Sequence, residues 1–105
     1  MYRATTPVIK FKFPASVDLS TAVNMFVTIE GEHGPKITKS GADVSVSGSL
    51  VSIVLTQQES LSLPIGKAYG QVNWLFYDAG KLRRACTNQI TLKVKGNMLD
   101  RVLGE

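Results

Sequence analysis

Apolar and polar residues alternate one for one in segment after segment of this chain, and that period constrains its fold more than any other feature. In Val8-Ile9-Lys10-Phe11-Lys12-Phe13, the apolar Ile9, Phe11 and Phe13 fall on one side and Lys10 and Lys12 on the other. Strand side chains point to opposite faces in turn, so this run predicts a half-buried strand. Pro7 suits its start and Pro14 its end, because proline brings no ladder donor. The same period returns in Val23–Glu30, with Val23, Met25, Val27 and Ile29 on one face, and in Asp43–Ser47, with Val44 and Val46 inward. It returns again in Leu50–Leu55, which sets Val51, Ile53 and Leu55 together. The longest run is Ala68–Asp78, with Val72, Trp74 and Phe76 on one face and Asn73, Leu75 and Tyr77 on the other. Leu82–Lys95 returns along it with Ile90, Leu92 and Val94 inward. Lys36-Ile37-Thr38-Lys39 reads as a short edge strand whose outward lysines discourage pairing with other chains.

Turn residues separate these runs. Glu30-Gly31-Glu32-His33-Gly34-Pro35, Gly41 and Gly48-Ser49 punctuate the first half, and Asp78-Ala79-Gly80-Lys81 predicts a hairpin. Thr56-Gln57-Gln58-Glu59 has the capping-box spacing and predicts one short helical turn ending near Leu63-Pro64. Asn97–Glu105 reads as a tail, a brief helix or an added strand, with Met98, Leu99, Val102 and Leu103 as its apolar residues. Seven short strands with turns between them fit an all-β sandwich or a small barrel. The expected core holds Trp74 buried with Ile9, Phe11, Val27, Ile53, Leu55, Val72 and Leu92, joined by Phe76 and Ile90. The 105 residues suit a single domain, residues 1–105, without cross-links.

The side chains offer little chemistry. One cysteine, Cys86, leaves no intrachain disulfide, and one histidine, His33, rules out a multi-histidine metal site within these residues. His33 reads as an exposed turn residue, and Cys86 as a small buried strand residue without the base a nucleophile needs. Asp18, Glu30, Glu32 and Asp43 are scattered, and no glycine-rich phosphate loop is present. The expectation is therefore a protein that is not an enzyme and holds no cofactor or metal. No apolar stretch approaches the ~20 residues that span a bilayer, so no membrane is expected as a partner. No apolar core follows Met1, so no secretory signal is expected and the chain is expected to begin in a cytoplasm. The net charge of +4 raises nucleic acid as an alternative partner, through Lys81, Arg83, Arg84, Lys93 and Lys95, with Tyr69 and Tyr77 as exposed platforms. The remaining aromatics read as core, which ranks that alternative below protein binding. The interface candidates are Lys36, Ile37 and Lys39 on the edge strand and Met98, Leu99, Val102 and Leu103 in the tail.

Three blocks carry a family resemblance. Thr5-Thr6-Pro7-Val8-Ile9-Lys10-Phe11 resembles the opening of small prophage-encoded structural proteins of Gram-positive bacteria. Val54-Leu55-Thr56-Gln57-Gln58-Glu59-Ser60-Leu61 resembles a central segment of the same proteins, and Gly70-Gln71-Val72-Asn73-Trp74 with Asp78-Ala79-Gly80-Lys81 resembles their closing hairpin. The strand–turn–strand pattern is also similar to the N-terminal immunoglobulin-like domain of phage baseplate upper proteins. The resemblance implies an immunoglobulin-like β-sandwich in a virion, tail or baseplate, made in the host cytoplasm. It implies other phage structural proteins, or further copies of the chain, as partners, and it carries over no catalytic residues.

Overall fold

The alternation of the first run is realised as strand β1 (Val8–Lys12), which buries Ile9 and Phe11, with Phe13 just beyond it, and exposes Lys10 and Lys12. A computed structural model describes residues 1–104. The strands that follow are β2 (Ala22–Gly31), β3 (Lys36–Ser40), β4 (Val44–Ser47), β5 (Leu50–Val54), β6 (Gly66–Asp78), β7 (Lys81–Cys86) and β8 (Ile90–Val94). One α-helix, α1 (Gln57–Ser62), lies between β5 and β6, and single 3-10 turns precede β2 and β4. Strands make up 53% of the chain and helical turns 12%, so the protein is all-β.

Two antiparallel sheets form. The smaller has the order β1-β5-β4, and the larger has β3-β2-β6-β7 with β8 also paired to β6. β2 takes one edge of β6, so β7 and β8 share the other: β7 pairs with Asn73–Asp78 and β8 with Gly66–Gly70. The inner faces meet in one core that joins Ile9, Phe11, Val51 and Ile53 of the small sheet to Met25, Val27, Ile29 and Val72 of the large one. The small sheet packs tightly on β6 at Gly70, where an added Cβ would lie 3.0 Å from the Phe11 ring, and also 3.1 Å from Ile29 and 3.2 Å from Ile90 of its own sheet. A side chain there would force the Phe11 ring and its neighbours to give by a few tenths of an ångström, which glycine avoids.

This connectivity is that of an immunoglobulin-like sandwich, in which a B-E-D sheet faces a C′-C-F-G sheet. β1 takes the place of strand B, β2 of C, β3 of C′, β4 of D, β5 of E, β6 of F, and β7 with β8 of G. Among the described residues no strand takes the place of strand A beside B. The chain before β1 goes instead to the other sheet: Tyr2 bridges Lys95 in parallel, with Arg3 N donating to Lys95 O at 3.0 Å and Lys95 N to Met1 O at 2.7 Å.

Several expectations are corrected. The return strand is two strands, because the chain leaves the ladder at Thr87–Gln89. Val23 is 57% exposed, since a register shift between Ala22 and Asn24 turns it off the face of Met25, Val27 and Ile29. Val46 is 49% exposed, because β4 is an edge strand and nothing covers its end of the face. Cys86 is exposed, being on the outer face of β7. Trp74 is only half-buried; it packs edge-on against Phe13 with ring centroids 5.3 Å apart. Ile90 and Leu92 pack against the core from a half-buried position, and Phe76, also half-buried, stays outside it.

Helix α1 forms as its spacing predicts. Thr56 Oγ1 accepts from Glu59 N at 3.1 Å, and Glu59 Oε1 accepts from Thr56 N at 2.9 Å, so two otherwise unpaired donors are satisfied. Replacing Thr56 with alanine is expected to cost about 1 kcal/mol in denaturant unfolding; an unchanged midpoint would remove the cap from the account of stability.

Candidate interaction surfaces

Among the described residues His33 and Cys86 do not come together with each other or with a cluster of acids. His33 occupies the β2–β3 turn with φ 64°, exposed to solvent, and Cys86 sits on a different strand. Among the described residues no group of three or more His, Cys, Asp or Glu is placed to hold a metal ion. Among the same residues no helix is long and apolar enough to cross a membrane. The surfaces open to a partner are therefore sheet edges, sheet faces and the tail.

The first expected surface is β3, which is an edge strand. Its side chains are not all free. Ile37 lies opposite Ile29 and is buried. Lys39 lies two positions further along the same face, so it too points inward, and its Nζ meets Glu59 Oε1 at 2.7 Å. The period that defines the strand places Lys39 beside Ile37, which corrects the expectation of two outward lysines. Lys36 does point outward, in a loose 3.8 Å pair with Glu30 that contributes little. An inward charge on an edge strand discourages strand addition there, so β3 is guarded.

Glu59 thus ties α1 to β3 while it caps its own helix. Burial pushes its carboxyl up, but the Lys39 ammonium and the Thr56 donors outweigh that and hold it below the ordinary glutamate value. A carboxyl lowered by folding stabilises the native state in full above the unfolded value of about 4.3, and that contribution is lost as pH falls through the lowered folded value. Acid unfolding of Glu59→Gln is therefore expected to show a weaker pH dependence below about pH 4.3 than the parent; parallel curves would show that the pair is energetically silent.

Over its described residues, 97–104, the tail forms neither helix nor strand, and Glu105 lies outside the described residues. The tail docks on its own molecule through Arg3 and Gln57. Arg3 donates to Asp100 Oδ2 at 2.6 Å and to Leu61 O at 2.8 Å, and its own carbonyl accepts from Asn97 Nδ2 at 3.1 Å. The Gln57 amide closes a reciprocal pair with the Leu103 backbone, at 3.0 and 2.7 Å. Val102 is half-buried, whereas Met98, Leu99 and Leu103 stay exposed.

The basic residues do not form one stripe. Arg83 pairs with Asp78 at 3.1 Å on the inner side of β7, whereas Arg84 is on the outer side, donating to Asn73 Oδ1 at 3.0 and 3.3 Å. Lys95 stands over the Tyr2 ring. Tyr77 is exposed and Tyr69 half-buried. The outer side of the large sheet carries a shallow hollow between Phe26, Leu75 and Arg84 that the sequence reading missed, because an outward phenylalanine in an alternating run looks no different from an inward one.

A second hollow lies between the sheets. An open groove of about 450 Å³ runs between β1 and the β7–β8 break, with Phe11, Phe13, Val17, Trp74 and Ile90 among its walls. The large sheet is wider than the small one, and the uncovered strip lies on this side. Comparison with known proteins returns no matching family model and no matching curated protein.

Proposed function

We propose that this chain is a phage or prophage structural protein, associated with a tail or baseplate, that works by binding other proteins. One observation carries the reading: the strand order B-E-D facing C′-C-F-G, the immunoglobulin-like connectivity that the sequence resemblance implies. That scaffold presents rigid edges and faces, and the described residues place no catalytic group beside another. Proteins built this way contribute surface, through main-chain pairing at edges and through exposed apolar side chains. The basic residues are divided between faces, which makes protein a better fit than nucleic acid. Self-association belongs to the same reading.

The test is association. The tagged chain, expressed with its neighbouring genes, is expected to be retained in purified tails or in complexes with tail or baseplate proteins. A neighbourhood of metabolic enzymes, with a chain that stays monomeric and binds no tail protein, would overturn the reading. Strong binding to DNA that falls steeply with salt would favour the alternative.

A further inference from the structure

We infer that the groove beside β1 is the vacant position of strand A and that it accepts an extended, acidic segment of a partner protein as an added strand. The inference rests on the protein-binding reading and names where and what the protein binds.

The backbone comes first. β1 pairs only with β5. Leu55 N donates to Pro7 O and Phe13 N to Ser49 O, which fixes Pro7, Ile9, Phe11 and Phe13 as the residues whose amide groups face β5. The N–H and C=O groups of Val8, Lys10 and Lys12 therefore point out along the free edge. β1 has no bulge and no internal proline to block a further strand, and its outward Lys10 and Lys12 discourage only a strand without complementary charge.

The space comes next. Neighbouring strands lie about 4.8 Å apart, so a strand added to β1 would cover the strip of the large sheet that the small sheet leaves open. That strip holds the half-buried Trp74 and Ile90. Met1, Tyr2 and Arg3 do not supply that strand, since Tyr2 bridges Lys95 and both of its neighbours bond to Lys95 on the other sheet.

Charge selects the occupant. Lys10 and Lys12 are exposed on β1 and neither has a carboxylate partner among the described residues. A second copy pairing β1 with β1 would set lysine against lysine, which is unfavourable. A segment that alternates apolar residues with aspartate or glutamate places the acids beside these lysines and the apolar side chains over Trp74 and Ile90. This is strand addition at an open sheet edge.

The experiment uses the full chain and three synthetic nine-residue peptides: valine alternating with glutamate, valine alternating with lysine, and the acidic peptide with a central proline. Trp74 is the chain's single tryptophan and reports from the groove. The acidic peptide is expected to shift its emission to the blue and to slow hydrogen exchange at the amides of Val8, Lys10 and Lys12. Its affinity is expected to fall about tenfold or more in the double variant Lys10→Glu, Lys12→Glu, and the other two peptides to bind more weakly. Equal binding of the basic peptide, protection confined to β3 or β7, or no binding at all would each overturn the inference. So would a double variant that joins tail assemblies as well as the parent, a result that leaves the tail reading standing.

Discussion

Replacing Phe11 with alanine is expected to lower the unfolding free energy by about 3–5 kcal/mol, the largest single-residue effect predicted for this chain. Phe11 is buried on β1, and its ring reaches across to the backbone of β6 at Gly70. Its removal leaves a hole between layers that cannot close, because the neighbouring β5 and β6 are held by their own ladders. Replacing Trp74 is expected to cost less although its side chain is larger, because Trp74 is only partly buried and so removes less of its apolar surface from water on folding. Denaturant unfolding of the two variants side by side checks the ranking. A Trp74→Ala protein less stable than Phe11→Ala would mean that the aromatic contact with Phe13, not the inter-sheet contact of Phe11, dominates this end of the core.

The second large effect is expected at Arg3. Alanine there removes the donors to the exposed Asp100 carboxylate and to the part-buried Leu61 carbonyl; the surface ion pair contributes little, and leaving the carbonyl unpaired costs about 1–2 kcal/mol. The consequence for the tail is more specific. Arg101 lies next to Asp100 and is exposed, so trypsin is expected to cleave after Arg101 faster in Arg3→Ala than in the parent, while the sandwich itself stays resistant. Unchanged cleavage would mean that Gln57 and Leu103 alone hold the tail. The Asp100→Asn variant separates charge from hydrogen bonding, since it keeps an acceptor oxygen at the same place.

What could be read in advance follows from how local each cause is. β1, the capping box at Thr56 and the turn at Ala79-Gly80 were legible because each depends on neighbours within a few residues. The turn takes φ 50° and 78° at its two central positions, as a tight hairpin requires. The misses share a different origin. Val23 leaves its face because of a register shift against β6, about fifty residues downstream, which no period within β2 records. Val46 and Trp74 keep the correct face but lie where the opposing layer has ended, and burial there depends on sheet width rather than on alternation. Lys39 was legible and misread: its position two after Ile37 already placed it inward. The groove was invisible for a simpler reason, since a strand that is absent leaves no residues to read.

The junction at Thr87 has a consequence for how the molecule opens. Thr87 N donates to Val72 O at 2.9 Å, and its hydroxyl accepts from Val72 N at 3.1 Å, so a side chain stands in for the rung that the ladder loses between β7 and β8. Beyond Phe76 the β6–β7 ribbon has no third strand, and the molecule stretches to 52 Å along its longest axis. Its radius of gyration of 15.0 Å exceeds the roughly 13 Å of a compact domain of this length. A two-stranded ribbon is marginal by itself in water. The ribbon can therefore fray back to the Phe76–Arg83 pair, short of the Thr87 junction, while the sandwich below stays closed, which gives the protein two opening free energies instead of one. Amides of Tyr77 and Leu82 report the smaller and those of Val27 and Val72 the larger, and a probe placed on the ribbon measures the stability of the ribbon alone.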